Sequence, residues 1–176
     1  MSMGRSVDHD RQRVYDAEEA AFGGTTLDEP LSWDEVEVLM SAVTSDRWWT
    51  ELAVPAPRLV RARADARTSC ADGEAIRICR DGQTALTLTH ELAHHLTGHL
   101  PWPASDLREP VHGPRFRATS LRVAMVVAGQ VAVDQLEEAW RVHGLSVTTW
   151  AFPEPTQRRP RALRGAHASR PPSSPS

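Results

Sequence analysis

Lysine is absent from this sequence, so all 20 of its basic side chains are arginines, and this bias assigns no function. Two features of exported proteins are missing as well. The N-terminus, MSMGRSVDHDRQR, is charged and lacks the apolar segment of a secretory signal. The most apolar stretch, residues 123–133, is interrupted by Gly129 and Gln130 and falls short of the roughly 20 residues that span a bilayer. We therefore expect a cytoplasmic protein with no membrane segment.

Cysteine is scarce, with only Cys70 and Cys79 present. Their separation is not the C-x-x-C spacing of a zinc knuckle or a redox site. A reducing cytoplasm also disfavours a disulfide. We expect two small buried side chains on a strand pair rather than a disulfide framework.

The composition changes sharply near residue 152. Residues 153–176 contain six prolines and five arginines against one acidic residue, and such a segment cannot bury enough apolar surface to fold. We predict one globular domain over residues 1–152, followed by a disordered tail. The domain has a net charge of −7, from 15 arginines and 22 acidic residues, and the tail has a net charge of +4. The basic tail either contacts nucleic acid or another acidic surface, or is solvated without a partner.

Local patterns predict helices in the first third of the chain. Residues 8–22 read as one helix, and a second begins at Ser32, where Glu35 completes a capping box. Trp48 and Trp49 follow that helix, and we expect them to close off its apolar core rather than bind a ligand.

In the middle of the chain, the spacing of the apolar residues changes. Residues 58–66 and 75–80 alternate apolar and polar side chains, and residues 71–74 between them have turn chemistry, which predicts a hairpin. A helix over residues 83–96, ended by Gly98, is expected next.

The last third reads as helical after a proline-rich loop over residues 100–114. Pro114 suits the first turn of a helix over residues 115–128. Another helix is expected over residues 131–143, with Gly144 at its end. Together these elements predict an α+β fold in which helices pack around a short β-sheet.

The predicted central helix contains the sequence His90-Glu91-Leu92-Ala93-His94, an H-E-x-x-H motif. Residues four apart lie on one face of a helix, so both imidazoles can reach a single ion. Zinc accepts histidine nitrogens and keeps one position for water in catalytic sites. Glu91 adjoins the first ligand, where its carboxylate can act as a general base on that water.

A third ligand must come from elsewhere. His95 lies about 100° around the helix from His94 and points away, and His99 lies beyond the expected helix end. His112 is the favoured candidate, because it stands between a long loop and the helix that starts near Pro114. An acidic ligand, Glu109 or Asp106, and a site without a third protein ligand are the alternatives, and a non-ligand acid could instead orient an imidazole.

HELAHHLTGH followed by HGPRF resembles zincin-type metalloproteases of the SprT-like and related groups, in which a third histidine lies in a His-Gly-x-x-aromatic segment. Residues 8–130 also resemble a small family of metallohydrolases from actinobacteria and their phages, with segments similar to DRQRVYDAE and THELAHHL. The resemblance implies a zincin-like domain that binds zinc through His90, His94 and His112 and uses Glu91 in catalysis. It names no substrate.

This chain also departs from the patterns of related metalloproteases. Metzincins carry glycine and histidine where Thr97 and Leu100 stand. SprT-like proteases that act on DNA-bound proteins have a separate DNA-binding part such as a zinc ribbon, and two cysteines cannot build one.

Three hypotheses about function follow. The first, and favoured, is a zinc-dependent metallopeptidase that acts on proteins or peptides. The second is a zinc hydrolase of another amide or of nucleic acid, and the third is a non-catalytic metal-binding interaction module. The presence of Glu91 disfavours the third, because a structural metal site does not need a base. A residue that stabilises the oxyanion is also expected, with His95, Tyr15 and Arg115 as unranked candidates.

Overall fold

The fold was analysed in a computed structural model, which describes residues 8–102, 109–148 and 152. The predicted tail at 153–176 lies outside the described residues. Six helices and three strands occur in the described part, in the order α1 (Arg11–Phe22), α2 (Trp33–Thr44), α3 (Arg47–Glu51), β1 (Arg58–Arg61), β2 (Cys70–Ala71), β3 (Ala75–Ile78), α4 (Ala85–His99), α5 (Pro114–Ala128) and α6 (Gln130–Val142). A single 3₁₀ turn, Arg80–Gly82, joins β3 to α4. The expected α+β class is confirmed.

The sheet differs from the predicted hairpin. Strand order is β1-β3-β2, and β1 pairs with β3 in parallel, so residues 58–66 and 75–80 do not form a hairpin. The hairpin is formed by β2 and β3, which are antiparallel. Asp72 Oδ1 accepts hydrogen bonds from the backbone N–H groups of Glu74 (3.0 Å) and Ala75 (2.7 Å), which fixes the turn between them. Alternation predicted strands that begin at residues 58 and 75, but both end earlier than expected, at Arg61 and Ile78, and β2 was not predicted. Alternation also carries no information about pairing direction.

Two apolar cores share the helices α4 and α5. One core lies between α2, α3, the sheet and one side of α4 and α5, and the other lies between α1, α5 and α6. The expectation for Trp48 and Trp49 is confirmed, since both are fully buried in the first core. α4 and α5 therefore contribute side chains to both cores.

The leucines of α4 determine which way its histidines face. Leu88, Leu92 and Leu96 recur every four residues and are fully buried in the first core. His90 is two residues from Leu88, about 200° around the helix, so the histidine face lies opposite the leucine face. The core therefore orients the H-E-x-x-H motif away from the apolar interior and toward α1.

The helix ends are mostly those that the sequence predicts. The capping box at Ser32 is present, Pro114 opens α5, and Gly144 follows α6 with a positive φ of 64°. The expected end of α4 at Gly98 is wrong: the helix continues to His99. Leu100 precedes a proline, which disfavours the helical conformation there and supplies the stop instead.

The cysteines are both free, as expected, but only one is buried. Cys79 is buried next to the 3₁₀ turn, whereas Cys70 is exposed on β2, so the expectation of two buried side chains is wrong for Cys70. None of the helices in the described ranges has the length and apolar character needed to cross a membrane.

Ser32→Ala tests the capping box. The Ser32 hydroxyl accepts a hydrogen bond from Glu35 N–H (3.3 Å), while the Glu35 carboxylate accepts one from Ser32 N–H (2.7 Å). Loss of the serine cap should lower the free energy of unfolding by about 1 kcal/mol. Chemical denaturation measures it. Ser41→Ala, on the exposed interior of the same helix, is the matched control and should not destabilise; equal effects of both changes would contradict the capping role.

Candidate metal centre

The two histidines of the H-E-x-x-H motif lie side by side on α4. Their Nε2 atoms are 3.0 Å apart, and the rings meet edge to face with centroids 4.7 Å apart. His90 is buried and His94 is half-buried, so the pair sits at the floor of an opening rather than on the open surface. The helical spacing alone brings these two nitrogens together, as the sequence predicts.

His112 completes the cluster from the turn that precedes α5. Its Nε2 lies 3.2 Å from the Nε2 of both His90 and His94, and its side chain is buried. The three ring nitrogens therefore form a nearly equilateral triangle. The choice of His112 as the third member of the site is supported, and the three residues together can hold a metal ion.

Two carboxylates on the N-terminal side of the chain orient these rings. Both oxygens of Glu18, on α1, lie within 3.0 Å of His90 Nδ1, and Asp8 Oδ2 lies 2.5 Å from His112 Nδ1. Burial acts to lower the pKa of His90, but the charge and hydrogen bond of Glu18, together with the charge of Glu91, outweigh it, and the net shift of this pKa is upward. Glu18 thus stabilises positive charge at this point of the structure.

The outer nitrogens of two of the rings face carboxylates. When His90 and His112 are neutral and carry their ring proton on Nδ1, they donate it to Glu18 and Asp8, and each Nε2 keeps an unshared electron pair. Burial and the neighbouring His90 and His112 lower the pKa of His94 to about 2, so His94 is also neutral. Unshared electron pairs therefore converge at 3.0–3.2 Å, an arrangement that a cation between them stabilises.

Aromatic rings enclose the histidines on two sides. Tyr15 of α1 stacks on His90 with ring centroids 5.1 Å apart and planes 17° apart. Phe116 of α5 contacts His90, His94 and His112, with centroid distances of 4.9, 4.3 and 4.9 Å. These rings limit rotation of the imidazoles and lower the local dielectric, which strengthens the attraction for an ion.

Arg117 holds the backbone that carries the third histidine. Its guanidinium is buried and donates hydrogen bonds to the carbonyl of His112 (2.7 Å), the carboxylate of Asp10 (2.8 Å) and the carbonyl of Ser146 (2.5 Å). Because Asp10 lies two residues after Asp8, this arginine ties the backbone of His112 to the segment that carries the acid orienting it. A buried charge with three acceptors fixes this turn in place.

Glu91 lies beside the triangle with part of its carboxylate free. Its side chain is buried, yet Oε2 has no hydrogen-bond partner in the described part of the chain. Burial raises the pKa of Glu91, although the charge of His90 and a hydrogen bond from the backbone N–H of Ala71 act in the opposite direction. A carboxylate with a raised pKa and an open oxygen is suited to accept a proton.

Two adjoining cavities meet at the centre. The larger, about 790 Å³, exposes His94 and His112, and the smaller, about 500 Å³, exposes His90. Arg11, Tyr15, Ser69 and Glu91 line both. The histidines thus stand at the floor of one cleft between α1 and residues 67–73.

The other predicted candidates do not join the triangle. Glu109 accepts a hydrogen bond from the backbone N–H of Arg115 (2.6 Å) and pairs with its side chain, so this acid caps α5. His95 Nε2 contacts the carbonyl of Pro55 (2.8 Å), and His99 Nδ1 contacts the carbonyl of His95 (2.8 Å). Asp106 lies outside the described residues.

The sequence analysis missed Glu18 and Asp8. A signal for Glu18 was present, because it follows Val14 by four residues and therefore lies on the buried face of α1, where an acid needs a partner. Asp8 gives no comparable signal, since it precedes the helix.

Comparisons with protein-family models, with curated proteins and with solved structures found no match for this chain.

His112→Ala tests the third member of the triangle. The change should weaken Zn²⁺ binding by more than the roughly 10–100-fold that loss of an orienting partner costs, because a ligand nitrogen itself is removed. Competition with a chelating dye measures the affinity. His99→Ala, which alters the same cavity outside the triangle, should bind Zn²⁺ as the unaltered protein does. Equal affinity of His112→Ala and the unaltered protein would refute the assignment.

Glu18→Gln tests the orienting carboxylate. Glutamine can still accept the His90 Nδ1 proton but lacks the negative charge, so Zn²⁺ affinity should fall by roughly 10–100-fold. The neighbouring change Glu19→Gln removes the same charge from an exposed position and should leave the affinity nearly unchanged. If both variants lose affinity equally, the effect is one of general charge and the specific role of Glu18 is wrong.

Proposed function

We propose that this chain is a zinc-dependent hydrolase with a zincin-like domain, and that it acts as a metallopeptidase. One observation carries the proposal: three inward-facing imidazole nitrogens lie next to a buried carboxylate that has an unpartnered oxygen. Three protein ligands with an acid beside them are typical of catalytic zinc sites, whereas structural sites use four protein ligands.

The spacing of the triangle favours zinc. Tetrahedral coordination with Zn–N distances of about 2.0–2.1 Å separates the ligand nitrogens by about 3.3–3.4 Å. The nitrogens of His90, His94 and His112 are 3.0–3.2 Å apart, so a small outward movement of each ring accommodates the ion. Imidazole also suits copper, nickel and iron, but zinc fits a redox-inactive hydrolytic site with an acid for proton transfer.

Glu91 would carry the proton transfers. When bound, zinc would polarise a scissile carbonyl and lower the pKa of water in the cleft toward ~7. The open Oε2 of Glu91 would accept a proton from that water and deliver it to the departing amine.

Tyr15 is the best supported of the three candidates for stabilising the oxyanion. It lies against His90 and lines both parts of the cleft. Arg115 is paired with Glu109, and His95 directs its Nε2 to Pro55. A phenol hydroxyl can donate a hydrogen bond to developing negative charge. Burial raises the pKa of Tyr15, which keeps this proton in place at neutral pH.

The shape of the cleft supports a peptide substrate. In the part of the chain that the structure describes, β2 is an edge strand whose one partner is β3. Cys70 and Ala71 of this strand line the larger cavity next to Glu91. Pairing with an edge strand is a common way of binding an extended peptide, and here it would use the groups of β2 other than the Ala71 N–H, which bonds to Glu91.

Glu91→Gln tests the proposal. The zinc-loaded variant should keep its metal and lose peptide cleavage by a factor of about 10²–10⁴, the usual contribution of a general base. Mass spectrometry of a peptide library before and after incubation measures cleavage, and elemental analysis measures zinc. Glu137→Gln, an exposed glutamate on α6, is the matched control and should retain full activity.

Two results would contradict the proposal in different ways. Peptide cleavage that persists in zinc-loaded Glu91→Gln would refute the role of Glu91. A zinc-loaded protein that leaves every peptide intact but hydrolyses another amide or a nucleic acid would refute the peptidase and support the second hypothesis.

A further inference from the structure

Arg11 stands where the two parts of the cleft meet. It lies on α1 four residues before Tyr15 and seven before Glu18, so all three project from one face of the helix toward α4. Tyr15 stacks on His90 and Glu18 bonds to it, which places the neighbouring guanidinium at the rim of the metal centre. Arg11 lines both the 500 Å³ and the 790 Å³ cavities.

The charge of Arg11 is not neutralised by an ion pair. Other arginines nearby do form ion pairs: Arg13 and Arg117 pair with Asp10, and Arg115 pairs with Glu109. Arg11 forms no ion pair with any carboxylate in residues 8–102, 109–148 and 152. The guanidinium carbon lies 5.6 Å from the ring centroid of Tyr15, and a hydrogen bond from Arg11 to the Tyr15 hydroxyl acts to lower the pKa of that group.

In the larger cavity, no other described arginine competes with Arg11 for an anion. Arg11 is the one arginine among the described residues that line it. Three acids line this cavity: Asp8 bonds to His112, Asp72 pairs with Arg77, and Glu91 lies beside the histidine triangle. The smaller cavity instead contains Asp16, Glu19 and Asp81 together with Arg67, so an incoming anion would meet repulsion there.

A free guanidinium is a specific receptor for a carboxylate. Its planar donors bind both carboxylate oxygens, which fixes the position of the ligand as well as attracting it. Arg11 lines the larger cavity together with Glu91, His94 and His112. A carboxylate bound here would therefore lie next to the reacting centre.

We propose that Arg11 binds a carboxylate of the substrate in the larger cavity, so that the enzyme selects peptides with a negative charge close to the scissile bond. The carboxylate is either the C-terminus of the peptide or an aspartate or glutamate side chain. This inference rests on the proposed zinc peptidase function. It assigns Arg11 to substrate selection, whereas proton transfer remains with Glu91.

A binding experiment on the zinc-loaded full chain tests the inference without requiring turnover. Isothermal titration calorimetry compares succinic acid monohydroxamate, whose hydroxamate binds zinc, with the same compound whose carboxylate is replaced by an amide. The unaltered protein should bind the acid at least about tenfold more tightly than the amide, the size expected for hydrogen bonds to a charged group. Arg11→Gln should abolish this preference and leave the affinity for the amide and the zinc content unchanged.

Two further variants separate specific binding from general charge. Arg11→Lys keeps the charge without the planar donors and should retain only part of the preference. Arg63→Gln removes a positive charge from an exposed side chain outside the cleft and should retain all of it. An acid preference that survives in Arg11→Gln, or that falls equally in Arg63→Gln, would overturn the inference, as would failure of both compounds to bind the zinc-loaded protein.

Peptides then distinguish the two sources of the carboxylate. If the C-terminus is bound, amidation of the peptide should raise KM at least about tenfold in the unaltered protein and have no effect in Arg11→Gln. If a side chain is bound, the same pattern should follow replacement of aspartate by asparagine. Cleavage that depends on neither change would overturn the inference while leaving the peptidase intact, whereas a lack of zinc binding would refute the proposed function itself.

Discussion

The convergence of three imidazole nitrogens is the arrangement on which the rest of this structure depends. In the form that can bind a metal, all three nitrogens lack a proton and repel one another at 3.0–3.2 Å, so the fold has to hold them together. Glu18 and Asp8 do this by binding the outer nitrogens of His90 and His112, and Phe116 restricts the rings from one side. A cation bound between the nitrogens would remove their repulsion, so metal affinity and the stability of the fold are linked.

That link explains why the N-terminal helix and α4 must be placed accurately against each other. α4 is anchored by leucines in one core and contacts the second core through Ala93, so its histidine face has little freedom. Glu18 reaches that face from α1, and the segment before α1 is tied to His112 by the buried Arg117. The same surface of α1 that orients His90 also presents Arg11 and Tyr15 to the cleft. The residue that orients His90 and the substrate contacts that we propose therefore lie on one helix.

The sequence predicted what depends on neighbours along the chain. Spacing within HELAH places His90, Glu91 and His94, and capping chemistry places the ends of α2 and α5. Contacts between segments that are far apart in the sequence could not be predicted from it. Glu18 meets His90 across 72 positions and Asp8 meets His112 across 104, and no local pattern encodes such a pairing. The parallel pairing of β1 with β3 has the same origin, because alternation defines a strand face without defining its partner.

The central claim is that His90, His94 and His112 together bind zinc and leave one position open. X-ray absorption at the zinc edge of the loaded protein tests it most directly. The account predicts three imidazole nitrogens at about 2.0–2.1 Å and one further light atom, with no sulfur ligand. A spectrum with a sulfur ligand at about 2.3 Å, or with fewer than three imidazoles, would contradict it.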